Sequence, residues 1–232
     1  SSDKFGLNQD IELSRVRVDS ILAREKDLAL ALAASSLRIE APVPGESVVG
    51  VEVPNPRSTL VSLRSVVESD SFRNAAENGG LSIGLGQDTG GEPVAIDLRE
   101  MPHLLISGAT GSGKSVCING VICSLLLSRS PDQLRLLLVD PKRVELTPFN
   151  GIPHLLAPVV VETELVVKAL RALLDEMFNR YRIFEKAKVR NIQSYREQVH
   201  DQEPMPYIIL IIDELADLMM AASYDVEQTL VR

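Results

Sequence analysis

An α/β fold built on a mostly parallel sheet, preceded by a smaller α+β module, is what this sequence predicts. Three observations carry that expectation. From Met101 onward, short apolar runs alternate with long helix-periodic stretches, the pattern of strands covered by helices on both faces. A glycine-rich loop joins one such run to an apolar helix. Before Met101, strand-length segments are separated by Pro/Gly turns and short helical stretches instead. The expected division is residues 1–100 for the small domain and 101–232 for the core.

In the first module, residues 19–34 read as a helix, because Ile21, Leu22, Leu28, Ala29 and Leu32 recur at helical spacing. Strands are expected at 37–40 and 48–53, punctuated by Pro42-Val43-Pro44-Gly45 and Pro54-Asn55-Pro56, with 61–63 as a further pairing segment. A helix over 65–78 is stopped by Gly79-Gly80, and 81–85 with 94–98 form a hairpin around Asp88-Thr89-Gly90-Gly91. In the core, strands are expected at 104–107, 134–139 and 207–212, and helices at 114–128, 162–187 and from 226 onward. No sequence period of repeat-protein length appears, which excludes solenoids and propellers.

Composition sets further bounds. Of 232 residues, 45% are hydrophobic and 24% charged, so the chain is globular rather than disordered. No apolar run is long enough to span a membrane, and the polar start of the chain does not read as a signal peptide. A cytoplasmic location is expected, with any tether to a membrane or septum supplied by segments outside this chain. Cys117 and Cys123 lie on one expected helix and read as small buried hydrophobes, while His103, His154 and His200 show no metal-ligand spacing. Net charge is −8; residues 1–100 hold 10 basic and 16 acidic side chains, the remainder 14 and 16. Global charge therefore gives no support to nucleic-acid binding.

The chemistry concentrates in Gly108-Ala109-Thr110-Gly111-Ser112-Gly113-Lys114-Ser115, which matches the phosphate-loop pattern at every specified position. Glycines let the backbone wrap closely and aim successive N–H groups at phosphate oxygens, and the following helix adds its positive N-terminal end, Val116 included. Lys114 reaches the β/γ oxygens as a point charge, and Ser115 coordinates magnesium. The bland alternative is a glycine turn that caps a helix. Tyr207-Ile208-Ile209-Leu210-Ile211-Ile212-Asp213-Glu214 supplies the partner half, with Asp213 toward the metal and Glu214 toward the attacking water. Standing alone, Asp-Glu after a strand reads as readily as a helix cap. Asp140, ending the third strand before Pro141, either supports the site or holds a turn with its side chain.

Met101-Pro102-His103-Leu104-Leu105, the loop itself, Asp140-Pro141-Lys142, Gly151-Ile152-Pro153-His154-Leu155-Leu156, Arg190-Asn191 and Asp213-Glu214-Leu215-Ala216-Asp217-Leu218-Met219-Met220 together resemble the FtsK/SpoIIIE family of DNA translocases in order and spacing. Residues 1–100, with Ala41-Pro42-Val43-Pro44-Gly45 and Val51-Glu52-Val53-Pro54-Asn55, resemble that family's small α domain. The resemblance implies a RecA-like P-loop NTPase core using ATP and Mg²⁺. It also implies a homo-hexameric ring that pumps double-stranded DNA through its channel in chromosome segregation, cell division or sporulation. By matching position it makes Lys114 and Ser115 ligands of phosphate and magnesium, Asp213 a metal support and Glu214 the catalytic acid. It places Lys142 and Arg143 at a subunit interface.

The family pattern continues past the helix near Asp225 into a strand lying between the phosphate-loop strand and the Asp213 strand, then DNA-facing loops and often a winged-helix module. This chain is therefore expected to be a fragment with a gap in its sheet, poorly folded and hydrolysing ATP negligibly on its own. For DNA it offers Arg180, Arg182, Lys186, Lys188, Arg190 and Arg196, a basic stretch that a solvated helix face explains equally well. Two other functions stay open: an FtsK-like ATPase powering protein secretion or conjugative transfer, and a non-hydrolysing ATP-binding ring scaffold. Glu214 speaks against the scaffold.

Overall fold

The computed structural model describes residues 16–45, 47–55, 59–101, 103–198 and 205–230. The chain separates into two compact units, Ser1–Leu60 and Val61–Arg232. In the first, helices α1 (Val18–Leu22) and α2 (Glu25–Ala31) precede an antiparallel pair, β1 (Arg38–Glu40) and β2 (Gly50–Glu52), with Ile39 opposite Val51. The single helix expected over 19–34 is thus two. Neither piece buries a residue or carries a side-chain cap, and Arg24 between them sits at φ −105°, ψ 13°. Short helices without a packed face have little to hold a continuous turn.

The second unit opens with α3 (Leu63–Val67) and α4 (Asp70–Ala76), followed by the hairpin β3 (Ser82–Gln87) and β4 (Pro93–Asp97). Two serines reset the expected elements. The Ser62 hydroxyl accepts from Ser65 N at 3.2 Å, starting a helix where 61–63 was expected to pair as a strand. The Ser69 hydroxyl accepts from Phe72 N at 3.2 Å, so the helix expected over 65–78 breaks and restarts. The hairpin forms as expected, its turn held by the Asp88 carboxylate, which accepts from Gly90 N at 2.8 Å and Glu92 N at 2.9 Å.

This hairpin packs onto α5 (Lys114–Ser128). Gly84 N donates to the buried Ser124 hydroxyl at 3.1 Å, and a Cβ at Gly84 would lie 2.9 Å from Val66, so only glycine fits between the two layers. Residues 61–100 consequently group with the residues that follow, where the sequence placed a division after residue 100.

The centre of the unit is the parallel pair β5 (Leu134–Val139) and β6 (Tyr207–Ile212), in register from Leu134 opposite Tyr207 to Val139 opposite Ile212. Residues 154–160 run along the other edge of β5, which donates from Leu136 N to His154 O at 2.8 Å and is followed by Asp140 N to Val160 O at 2.9 Å. Alternate residues serve opposite faces. Leu134, Leu136 and Leu138 join Ile118, Ile122 and Leu125 of α5 in one core, with Ile209 and Ile211 packed against it. Leu137 and Val139 join Val166 and Leu170 of α6 (Thr163–Ala187) and Leu218 of α8 (Leu215–Leu230) in the other, with Leu210 and Ile212. Cover on both faces explains why β6 reads as an unbroken apolar run and β5 as one interrupted by Arg135 alone.

Three expectations change here. Residues 104–107 are not a strand: Leu105 is 80% exposed, and the segment faces the outer edge of β6 across a cleft of about 1920 Å³. An apolar extended segment becomes a strand only where a neighbour takes its backbone N–H and C=O groups, and none does so among the described residues. Helix α8 starts directly after Glu214 rather than near 226, with a kink at Ala222 (φ −150°, ψ 48°). Helix α7 (Ile192–Gln198) was not foreseen. Cys117 and Cys123 are half-buried rather than buried, and His200 lies outside the described residues. No helix among the described residues is long and apolar enough to cross a membrane.

Candidate nucleotide site

The glycine-rich loop enters α5 through Gly113, which holds φ +97° and so occupies the left-handed region that suits glycine. The first helical bond is donated by Cys117 N to Gly113 O at 2.9 Å, which leaves the N–H groups of Lys114, Ser115 and Val116 ahead of the ladder. No side chain caps them. At the start of the loop, a Cβ on Gly108 would fall 2.2 Å from the Ser112 hydroxyl oxygen, so a larger residue there would force the Ser112 side chain to turn away. Ala109, Thr110, Gly111, Ser112 and Gly113 are exposed, while Lys114 and Ser115 are half-buried.

Lys114 turns from α5 to the end of β6. Its Nζ donates to the Asp213 carbonyl at 2.9 Å and to Glu214 Oε2 at 3.2 Å, and lies 3.8 Å from Asp213 Oδ1. Residues about one hundred positions apart therefore meet at one point. Asp213 N donates to Val139 O at 3.0 Å, which fixes the strand end, and the Asp213 side chain is buried there with Oδ1 accepting no hydrogen bond among the described residues. Burial pushes its carboxyl above the ordinary value; Lys114 opposes this, while Asp140, Glu145 and Glu214 add repulsion. Glu214 is held below its ordinary value by the hydrogen bond and charge of Lys114, helped by Lys142.

Asp140 settles between its two expected roles. Oδ2 accepts from Glu145 N at 3.0 Å and Leu146 N at 2.9 Å, which is the turn-holding role, while buried Oδ1 has no partner. Burial raises its carboxyl, but the surrounding backbone N–H groups of Leu146, Val144, Thr147 and Arg143 outweigh that and hold it below the ordinary value.

Two contacts at this edge were not legible beforehand. Lys142 Nζ lies 3.5 Å from Glu214 Oε2 and 3.3 Å from Asp217 Oδ2. The signal available was the equal length of two apolar runs, 134–139 and 207–212, which brings their polar ends level once they pair in register. Arg143, at φ +61°, pairs with Glu162 instead. The basic stretch is likewise redistributed. Arg180 donates to Glu176 at 2.7 Å and to Pro206 O at 2.7 Å, and Arg196 donates to Met205 O and stacks 4.4 Å over the Tyr207 ring. Arg182, Lys186, Lys188 and Arg190 remain exposed.

The donor set suits a magnesium–triphosphate pair on observed features: a buried carboxylate oxygen without a hydrogen bond at Asp213, a hydroxyl at Ser115, uncapped helix amides and the ammonium of Lys114.

Known proteins resemble this chain over most of its length. The profile of the FtsK/SpoIIIE family matches residues 62–232, and that of the FtsK alpha domain matches residues 8–55. A protein of Halalkalibacterium halodurans named DNA translocase FtsK is 50% identical over 94% of this chain and 28% of its own length. Its counterpart in Bacillus cereus is 48% identical over the same shares, so this chain spans about 28% of the length of such relatives. Among solved structures, the cytoplasmic domain of the Thermomonospora curvata Type VII secretion ATPase EccC shares a TM-score of 0.61 at 25% identity, over 73% of this chain and 22% of that one. The pCW3 conjugation coupling protein TcpA, solved with ATPgS, gives 0.55 at 23% over 94% and 57%. The fold is that of P-loop ATPase motor domains, with a RecA-like core. With residues 62–232, most of its length, matched by that one profile, this chain belongs to the FtsK/SpoIIIE family.

Proposed function

We propose that this chain is the nucleotide-binding region of an ATPase that translocates double-stranded DNA in chromosome segregation, cell division or sporulation. One observation carries this most: Lys114 at an uncapped helix N-terminus meets Asp213 and Glu214 at the end of the central strand. Relatives named DNA translocase FtsK support DNA as the track. A homo-hexameric ring on the cytoplasmic side, tethered through other segments, goes with that proposal.

The residues divide the work. The N–H groups from Gly108 to Val116 surround the phosphates of ATP, and Lys114 leaves Glu214 to reach the β/γ oxygens. Ser115 and Asp213 would hold Mg²⁺, which when bound neutralises charge on those oxygens. Glu214, kept ionised by its lysine neighbours, orients the attacking water and takes its proton. Hydrolysis then changes which groups Lys114 contacts, and that change is what a motor transmits to its neighbours.

The test is ATP hydrolysis by the complete protein with and without double-stranded DNA. Stimulation by DNA and none by a secretion-signal peptide is the expected result. The reverse would favour a secretion ATPase, which the likeness to EccC makes the second reading.

A further inference from the structure

Glu214 has two cations, and only one of them is free to stay. Lys114 holds Oε2 at 3.2 Å and Lys142 holds the same oxygen at 3.5 Å. If Lys114 moves to phosphate oxygens, as the proposed function requires, its ammonium can no longer fix the carboxylate in its present direction. Lys142 is on a different element: it follows β5, and the in-register pairing of Val139 with Ile212 delivers it to the same edge as Glu214. It is anchored independently, 3.3 Å from Asp217, which lies three residues beyond Glu214 in the first turn of α8. Neither contact of Lys142 involves the phosphate loop.

We infer that Lys142 is a positioning residue, which holds the Glu214 carboxylate in place toward the attacking water once Lys114 has turned to the triphosphate. This rests on Glu214 acting as the base. Stability does not account for the arrangement, because half-exposed bridges of this kind contribute little to folding. The Lys142 ammonium, Glu214, Asp217 and the turn after β5 form one small network, in which Asp217 sets the lysine and the lysine sets the glutamate. The effect belongs on the catalytic step rather than on nucleotide binding, since a group that only orients the base does not touch bound ATP.

The experiment compares Lys142→Met, Lys142→Arg and Glu214→Gln in the complete protein, reading kcat, KM for ATP, ATPγS affinity and thermal midpoint. Lys142→Met is expected to lower kcat by about tenfold to a hundredfold, with KM and ATPγS affinity within about twofold of the parent. Lys142→Arg keeps a cation within reach of one carboxylate oxygen and is expected to recover most of the lost rate. Glu214→Gln is expected to lose hydrolysis, and adding Lys142→Met to it to cause little further loss. A normal kcat in Lys142→Met beside an inactive Glu214→Gln would overturn the role of Lys142 and leave the base intact. Normal turnover in Glu214→Gln would overturn the base itself, and the present inference with it. A parallel loss of ATPγS affinity in Lys142→Met would make Lys142 a nucleotide contact and overturn positioning. Should Lys142→Met lower the thermal midpoint, failure of Lys142→Arg to restore kcat while restoring the midpoint would overturn it too.

Discussion

The two ends of β6 carry charge in opposite ways. At the Tyr207 end, arginines are absorbed by the fold. Arg129 donates to Ala76 O and Gly80 O, Arg180 to Pro206 O, and Arg196 to Met205 O and Gln133 O, while Arg99 binds Asp97. Each guanidinium closes backbone carbonyls or a carboxylate of the fold itself. At the Asp213 end, the buried oxygens Asp140 Oδ1 and Asp213 Oδ1 accept no hydrogen bond among the described residues, and Lys114 is shared between acids that repel one another. A satisfied polar network rigidifies, whereas a partly satisfied one costs the fold and is available to a ligand. The contrast separates charge spent on the fold from charge left open to a ligand at the two ends of one strand.

Substitutions sharpen this contrast. Lys114→Ala should show the largest effect, weakening ATPγS binding by about a hundredfold while barely moving the thermal midpoint of the nucleotide-free protein; calorimetry and a melt check both halves. Arg129→Ala should do the reverse, lowering stability by about 2 kcal/mol as its carbonyls lose their donor, with ATPγS affinity intact. A midpoint unchanged in urea would show that the Tyr207 end is not the clamp described.

Asp97→Asn comes next, at about 1–2 kcal/mol near neutral pH. The Asp97 carboxylate accepts from Leu81 N and Arg99 N at 2.9 and 3.0 Å and from Arg99 Nε at 2.8 Å. Burial raises its carboxyl, but these bonds and the Arg99 charge hold it below the ordinary 3.8. A depressed carboxyl stabilises the fold fully above the unfolded value and loses that contribution as pH falls through the folded one. The gap between parent and variant should therefore close below 3.8, and unfolding series at neutral and acid pH would reveal a gap that does not. The smallest effect is expected at Arg64→Ala, whose bridge to Glu68 at 2.7 Å is exposed on both sides. It should stay below about 0.5 kcal/mol in the same urea titration.

What the sequence made legible was whatever depends on a local run of residues. Both central strands and α5 stand at their expected bounds, because an apolar run between turn signals is recognisable without its neighbours. The phosphate loop and the Asp213-Glu214 pair were readable for the same reason, while the contact of Lys114 with those two acids was not foreseen. Segment 104–107 misled because its composition is strand-like while a strand also needs a pairing edge. Ser69 broke a helix through a hydroxyl that in sequence looks like any surface serine. Arg180 and Arg196 looked like a basic stripe because spacing along the chain does not reveal which carbonyls lie within reach. Lys142 was hidden most deeply, since its place depends on two strands pairing without a slip.

Asp213 brings one more consequence. Its carboxyl sits above the ordinary value through burial, so the folded state prefers the protonated form and loses stability as pH rises through the folded value. Wherever that carboxyl is ionised, its charge is a cost to the strand that α5 and α6 enclose. The molecule is less robust at this position than its architecture would permit, and an amide there is expected to raise stability while weakening the proposed hold on magnesium.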